Sequence, residues 1–175
     1  KKLLADAGYP QGFALKLDCP NDRYVNDEAI CQAVTAMWTR IGVKTTLQAA
    51  PMAQFVTRVM NNDVSAYLFG WGVATFDALY SLEALMATKD GKTSAGNYNG
   101  GRFSDATLDG MIGQIKVEMD AAKRDALLAQ ALQRVKDGYY YIPLHHQIRP
   151  WAMRKNVETP HRADDRPMPT WTTIK

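Results

Sequence analysis

Residues 13–49 read FALKLDCPNDRYVNDEAICQAVTAMWTRIGVKTTLQA, and their hydropathy changes period twice. Apolar side chains alternate with their neighbours from Phe13 to Cys19 and again from Val43 to Ala49, which predicts two β-strands. Between them, residues 30–41 carry apolar side chains at helical spacing, and Gly42 follows as a typical helix end. A strand, a helix and a strand in this order predict a parallel pair joined by a right-handed crossover.

Similar patterns continue in both directions along the chain. Residues 1–8 have the character of a helix that Gly8 ends, and residues 64–71 form a nearly continuous apolar run that is typical of a strand buried on both faces. The sequence therefore predicts an α/β fold, a mainly parallel sheet flanked by helices. The remaining predicted elements are helices that begin at Asn26, Pro51, Asp77, Ser104 and Asp120, and a fourth strand over Tyr140–Gln147.

The overall composition narrows the class of protein. The chain has 175 residues, of which 46% are hydrophobic and 22% charged, enough for one core with an appendage. The 21 basic and 18 acidic residues are interspersed, so we expect no nucleic-acid partner, which would require clustered basic residues. No apolar run approaches the roughly 20 residues of a membrane helix.

The last part of the chain loses all periodicity. Four prolines and several charged residues interrupt residues 150–175, which nevertheless contain Trp151, Met153 and Trp171. A segment of this kind cannot build a core of its own and needs another surface for its apolar side chains. We therefore predict two parts, residues 1–149 and residues 150–175.

Motifs of catalysis are incomplete in this sequence. Gly91-Lys92-Thr93 resembles the end of a phosphate-binding loop, but Met86 stands where the first glycine belongs. Gly70-Trp71-Gly72 has Thr75 in place of the third glycine of a dinucleotide fingerprint. The sequence contains no recognisable set of nucleophile, base and oxyanion donors, so we expect neither an enzyme nor a cofactor.

Polar and aromatic residues instead gather where the predicted strands end. Ligands of open parallel sheets bind beyond the carboxyl ends of the strands, and aromatic walls with a few polar groups suit an amphipathic small molecule. Of the two adjacent histidines, one is expected to pack inward and the other to face a cleft. The candidate ligand-binding residues are Arg23, Tyr24, Trp71, Phe76, Asp77, Tyr98, Asn99 and His146.

Several motifs together resemble a known family. LLADAGYPQGFALKLDCPNDRYVNDEAICQAV (3–34), YLFGWGVATFDAL (67–79) and YNGGRFSDATLDGMI (98–112) resemble the C-terminal lobe of family 5 extracellular solute-binding proteins, the receptors of peptide/nickel-type ABC importers. The resemblance implies a fragment of a longer, periplasmic or lipid-anchored extracellular chain that delivers its solute to permease subunits. It also implies that residues 150–175 return to an absent N-terminal lobe, and that ligand contacts fall at Trp71–Asp77 and Tyr98–Asn99.

The same resemblance leaves the solute open. Peptide receptors of the family carry a carboxylate three residues after the strand-end tryptophan, where this chain has Ala74. A peptide-like solute, a nickel complex, an opine or a sugar all remain candidates. We expect weak solute affinity for this lobe alone, because one lobe supplies half of a cleft.

Two other functions and one covalent bond also remain open. A metal-dependent hydrolase would use His145, His146 and His161 with Asp77, and a protein-interaction module would use the aromatic residues of the tail. Cys19 and Cys31 form either a disulfide or two buried thiols, and export would favour the disulfide.

Overall fold

The computed structural model describes residues 1–175, which form two compact units, Lys1–Tyr141 and Ile142–Lys175. The first unit holds the predicted sheet and most of the helices. The second unit begins within the segment that we predicted as the fourth strand.

Three parallel strands form the sheet of the first unit. They are β1 (Ala14–Pro20), β2 (Lys44–Ala50) and β3 (Ala66–Tyr67), in the order β2-β1-β3. The two long strands pair over their full lengths, from Ala14 opposite Lys44 to Pro20 opposite Ala50. The predicted α/β class with a mainly parallel sheet is confirmed.

Helix α1 (Lys2–Asp6) precedes β1 in the chain. Helices α2 (Asp27–Ile41) and α3 (Met52–Met60) pack against the sheet. Helix α2 ends at Gly42, whose φ of 107° few side chains would tolerate. Leu17 and Cys19 of β1 pack on the α2 side, whereas Asp18 pairs with Arg58 of α3. Because successive strand residues point to opposite faces, α2 and α3 cover opposite faces of the sheet.

A disulfide joins β1 to α2 through Cys19 and Cys31, which are both buried. It lies in a small core with Leu17, and with Val34 and Trp38 of the helix. The covalent bond therefore fixes the helix to the sheet at the point where their apolar faces already meet.

The second core of this unit is helical. Helix α4 (Ala78–Ser81) continues into a π-helical turn (Leu82–Met86), which packs with α5 (Ala106–Val117) and α6 (Ala121–Asp137). The most buried side chains of this core are Leu82, Leu108, Ile115 and Ala131. Asp77, Asp105 and Asp120 cap the three helices by accepting N–H bonds of the first turn.

The predicted cap of α5 is wrong by one position, and the predicted cap of α2 has the right position but makes no side-chain bond. Helix α5 is capped by Asp105 rather than Ser104, because the Asp105 carboxylate accepts the N–H groups of Thr107 and Leu108. Asn26 makes no capping bond at α2. Asp27, the first residue of α2, accepts the backbone N–H groups of Arg23 and Tyr24 and so holds the loop that precedes the helix.

Two predicted strands also differ from the structure. The apolar run 64–71 pairs only over Ala66–Tyr67, because its later residues turn their aromatic side chains into a cluster beyond the sheet. Residues 140–147 form no strand. Each of their first two tyrosines is held by a hydrogen bond from its hydroxyl. Tyr140 donates to Asp105, and Tyr141 donates to the carbonyl of Leu85.

The second unit contains more order than its sequence predicts. Strands β4 (Val157–Glu158) and β5 (Thr173–Ile174) pair antiparallel, and a 3₁₀ turn (Pro169–Trp171) precedes β5. Asp165 accepts hydrogen bonds from Trp151 and Arg149, which ties the two ends of the intervening loop together. No helix in the chain has both the length and the apolar character needed to cross a membrane.

Candidate functional site

An aromatic cluster occupies the chain just beyond β3. The Trp71 ring stacks on Tyr80 at a centroid distance of 5.3 Å and lies 5.2 Å from the ring of Tyr98. Phe69 lies between this group and buried Phe55, with centroid distances of 6.3 Å to Phe55 and Trp71. The cluster thus runs from the core of the sheet to a half-exposed surface at its carboxyl edge.

The loop that carries Tyr98 is held in place by Asn99. The Asn99 amide donates to the carbonyls of Ala87 and Phe103, and its oxygen accepts the Phe103 N–H. Asn99 is 2% exposed. Its polar atoms are therefore engaged within the loop that carries Tyr98, and its ligand contact stays a prediction.

The turn after Trp71 contains an exposed aromatic residue, Phe76, and a carboxylate, Asp77, that already has hydrogen-bonding partners. Phe76 is 70% exposed and has a φ of 55°, a conformation rare for aromatic residues. Asp77 accepts the N–H of Leu79 at 2.8 Å and pairs with Arg124 of α6, also at 2.8 Å. Asp77 is thus neutralised by a partner of its own lobe, which weakens its prediction as a ligand contact.

The loop after β1 brings Arg23 and Tyr24 to the same edge. The Tyr24 hydroxyl donates to the carbonyl of Gly70 at 3.2 Å, directly before Trp71. The Arg23 guanidinium lies 5.6 Å from the centroid of the Tyr24 ring and forms no salt bridge. Tyr24 therefore contacts both the predicted residue Arg23 and Gly70, which precedes the predicted residue Trp71.

Two other carboxylates near this edge accept hydrogen bonds from backbone N–H groups. Asp22 accepts the N–H of Met52 at 2.7 Å. Burial raises the pKa of Asp27, but hydrogen bonds from the N–H groups of Tyr24, Arg23 and Glu28 outweigh burial and lower the pKa below its usual value. The edge thus offers an unpaired cation at Arg23 and carboxylates that already have partners.

His146 belongs to the second unit, where it is exposed in an irregular segment next to His145. Without a strand, the expectation that the two rings point to opposite faces loses its basis. Its ligand contact stays a prediction. His161 lies 3.8 Å from Asp165, and no group of three or more His, Cys, Asp or Glu side chains in the chain is placed to hold a metal ion.

One buried ionic group was missed by sequence reasoning. Asp18 is fully buried on β1 and pairs with Arg58 at 2.8 Å, while Lys16 lies 3.7 Å away. The alternation of β1 suggested that Asp18 faces solvent, but α3 covers that face. The signal available in the sequence was the position of Asp18 in the central strand of a sheet with helices on both faces.

A cavity of about 540 Å³ lies elsewhere, between α5 and α6 beside Asp105, Arg134 and Tyr140. None of the predicted binding residues lines it. Its charged groups are also paired, because Arg134 forms two hydrogen bonds to Asp105 and Tyr140 donates to the same carboxylate. We therefore place the candidate site at the aromatic edge of the sheet.

Comparison with curated proteins finds several binding proteins. The chain is 28% identical over 156 residues to Heme-binding protein A of Haemophilus influenzae, covering 85% of this chain and 27% of that protein. It is 27% identical over 160 residues to the Dipeptide-binding protein of Pseudomonas aeruginosa, covering 90% of this chain and 29% of that one. The chain thus spans less than a third of the length of these relatives.

Solved structures share the fold. The dipeptide binding protein of Pseudoalteromonas sp. SM9913 in complex with Met-Leu gives a TM-score of 0.85 at 17% identity, covering 99% of this chain and 34% of that one. The protein MoaA in complex with mannopinic acid, from A. tumefaciens R10, gives a TM-score of 0.82 at 21% identity. The match covers 100% of this chain and 36% of that one. Residues 1–93 match the family model for bacterial extracellular solute-binding proteins, family 5 Middle. The chain therefore belongs to the family 5 bacterial extracellular solute-binding proteins.

Proposed function

We propose that this chain is one lobe of the solute receptor of an ABC importer, and that its solute is a small amphipathic molecule with a carboxylate. The observation that carries the proposal is the position of Tyr24, which lies against Arg23 and donates to the carbonyl of Gly70, directly before Trp71. We propose that this edge, where α/β sheets bind ligands, offers the solute the aromatic surface around Trp71 and the guanidinium of Arg23.

The aromatic half of the site suits an apolar or planar part of a solute. Tyr98 and Tyr80 are each more than a third exposed, and both contact Trp71. Aromatic faces of this kind contribute large contact areas with little loss of side-chain entropy. Phe76 extends the same apolar surface in an exposed position.

Arg23 is the group that we propose to pair with an anionic part of the solute. Asp22, Asp27 and Asp77 already have partners, whereas the guanidinium of Arg23 has none. Arginine pairs with carboxylates in a two-pronged geometry. The solutes named for the relatives, heme, a dipeptide and mannopinic acid, all carry carboxylates, which supports the same class here.

The wider function follows the family. We propose that a second lobe closes on this edge and encloses the solute, and that the closed receptor delivers it to a membrane permease from the periplasm or the outer cell surface. The chain acts by binding and performs no catalysis. Residues 150–175 are proposed to pack on the other lobe.

Calorimetry on the full-length protein tests the site. Met-Leu and mannopinic acid are the probes. For whichever probe binds the wild type, we expect Trp71→Ala to weaken binding by about 5- to 150-fold, since an aromatic contact is worth about 1–3 kcal/mol. Arg23→Met should weaken it by less, because Arg23 is exposed.

Tyr9→Ala is the matched control, because Tyr9 is an exposed aromatic residue that contacts Phe13. It should leave the affinity unchanged. Unchanged affinity in Trp71→Ala would remove the aromatic edge from the binding site.

A further inference from the structure

We propose that Tyr24 is a positioning residue, which sets the span between the guanidinium of Arg23 and the ring of Trp71 through its contact with Gly70. This inference rests on the proposed function, because it assigns to Tyr24 the selectivity of the same site for a carboxylate. It replaces the sequence-based expectation that Tyr24 contacts the solute directly.

The contact between Tyr24 and Gly70 is close and specific. The Tyr24 hydroxyl donates to the Gly70 carbonyl at 3.2 Å, across 46 residues of sequence. A Cβ atom at position 70 would lie 2.7 Å from Cε1 and 2.9 Å from Cζ of the Tyr24 ring. Glycine is therefore required at position 70 for the ring to approach the backbone this closely.

The other side of Tyr24 is fixed to Arg23. The Asp27 carboxylate accepts the N–H groups of both Arg23 and Tyr24 at 3.0 Å, so the backbone of this loop is held at the start of α2. The Arg23 guanidinium lies 5.6 Å from the Tyr24 ring centroid, within the range of a cation–π contact. One side chain thus connects the cationic group to the residue that precedes Trp71.

This geometry has a consequence for selectivity. A carboxylate and an apolar group of one solute can engage Arg23 and Trp71 together only if their separation matches the fixed span. Loss of the Tyr24 contact would leave both groups present but free to move independently. The carboxylate would then contribute less to binding, while the apolar contact would persist.

A matched pair of glycine substitutions tests the contact without any solute. We expect Gly70→Ala to accelerate amide hydrogen exchange of the segment 21–27 in the full-length protein, because the new Cβ displaces the Tyr24 ring. Gly72→Ala is the control, since nothing lies within 4 Å of a Cβ at that position. Equal exchange in the two variants would overturn the proposed contact.

Selectivity is tested with Met-Leu and its C-terminal carboxamide as probes. We expect Gly70→Ala and Tyr24→Phe to lower the ratio of acid to amide affinity by about fivefold, the upper range for an exposed ion pair. Gly113→Ala on α5, where nothing lies within 4 Å of a Cβ, should preserve the ratio. Tyr24→Phe keeps the ring and removes only the hydroxyl, so it guards against a failure of Gly70→Ala to fold.

The outcomes separate this inference from the proposed function. A faster exchange with an unchanged acid-to-amide ratio would overturn the positioning role. Equal affinity of the wild-type protein for acid and amide would overturn the carboxylate pairing of the proposed function, and the exchange measurement would still decide the contact itself. In an Arg23→Met background, Tyr24→Phe should change the ratio no further.

Discussion

At the scale of single residues, a buried charge and an exposed charge differ in whether they have an ionic partner. Asp18 is fully buried and has Arg58 as its partner, whereas Arg23 is exposed in the loop after β1 and forms no salt bridge. A buried carboxylate needs a partner because desolvation of an unpaired charge costs several kcal/mol. The first pair therefore holds the fold, and the unpaired arginine is available for binding.

Asp18→Asn should destabilise the first unit strongly. The substitution leaves the largely buried guanidinium of Arg58 without a counter-charge, and we expect a loss of about 3 kcal/mol in the free energy of unfolding. Urea denaturation followed by circular dichroism measures this loss.

Asp125→Asn is the control for this experiment, because Asp125 is exposed on α6. We expect its free energy of unfolding to stay within about 0.5 kcal/mol of the wild type. A similar small effect in Asp18→Asn would show that the Asp18–Arg58 pair contributes little to stability.

At the scale of elements, Asp105 joins three segments of the helical core. It caps α5, accepts two hydrogen bonds from Arg134 of α6 and one from the hydroxyl of Tyr140. Hydrogen bonds from Arg134 and then from Tyr140 hold the pKa of Asp105 well below its usual value. The segment after α6 is therefore fixed through side chains rather than through a sheet.

Asp105→Asn should change the pH dependence of stability. A carboxyl whose pKa is lowered on folding adds stability above its unfolded pKa, and that stability is lost as the pH falls through the folded pKa. The wild type should therefore exceed Asp105→Asn in free energy of unfolding at pH 7, and the difference should shrink below about pH 4.

Urea titrations at pH 7 and pH 3 give the two differences. Asparagine is itself a good helix cap, so the capping of α5 is largely preserved in this variant. A difference that stays constant between the two pH values would contradict the assigned role of the carboxylate.

The elements that the sequence predicts well are those with local signals. Gly42 and Asp120 mark helix ends through conformational preference and capping, and the alternation of β1 and β2 follows from one apolar face. The run 64–71 was predicted as a longer strand because its aromatic residues resemble strand residues. Phe69 and Trp71 instead face an aromatic cluster, a tertiary arrangement that no local pattern encodes.

The candidate site was predictable to a similar degree. Strand ends identified Arg23, Tyr24 and Trp71, and in the structure Tyr24 contacts both Arg23 and Gly70, the residue before Trp71. Burial of Asn99 depends on long-range hydrogen bonds to Ala87 that sequence spacing does not reveal. Hydrogen bonds between residues that are distant in sequence show which polar side chains already have partners within the protein. Residue spacing alone does not show this.

At the scale of the whole molecule, the chain corresponds to about a third of the solved relatives that share its fold. Its first unit places an aromatic and cationic surface at one edge of a parallel sheet. In the proposed receptor, this surface forms one wall of a cleft and the second lobe forms the other. We therefore expect the 175-residue chain alone to bind the solute far more weakly than the full-length protein.

Mass spectrometry of small molecules released from the purified full-length protein tests the central claim most directly. We predict that the wild type releases an amphipathic compound with a carboxylate, in a stoichiometry that falls in Trp71→Ala and is unchanged in Tyr9→Ala. Release of the same compound in equal amounts from wild type and Trp71→Ala, or of a compound without an acidic group, would contradict the account.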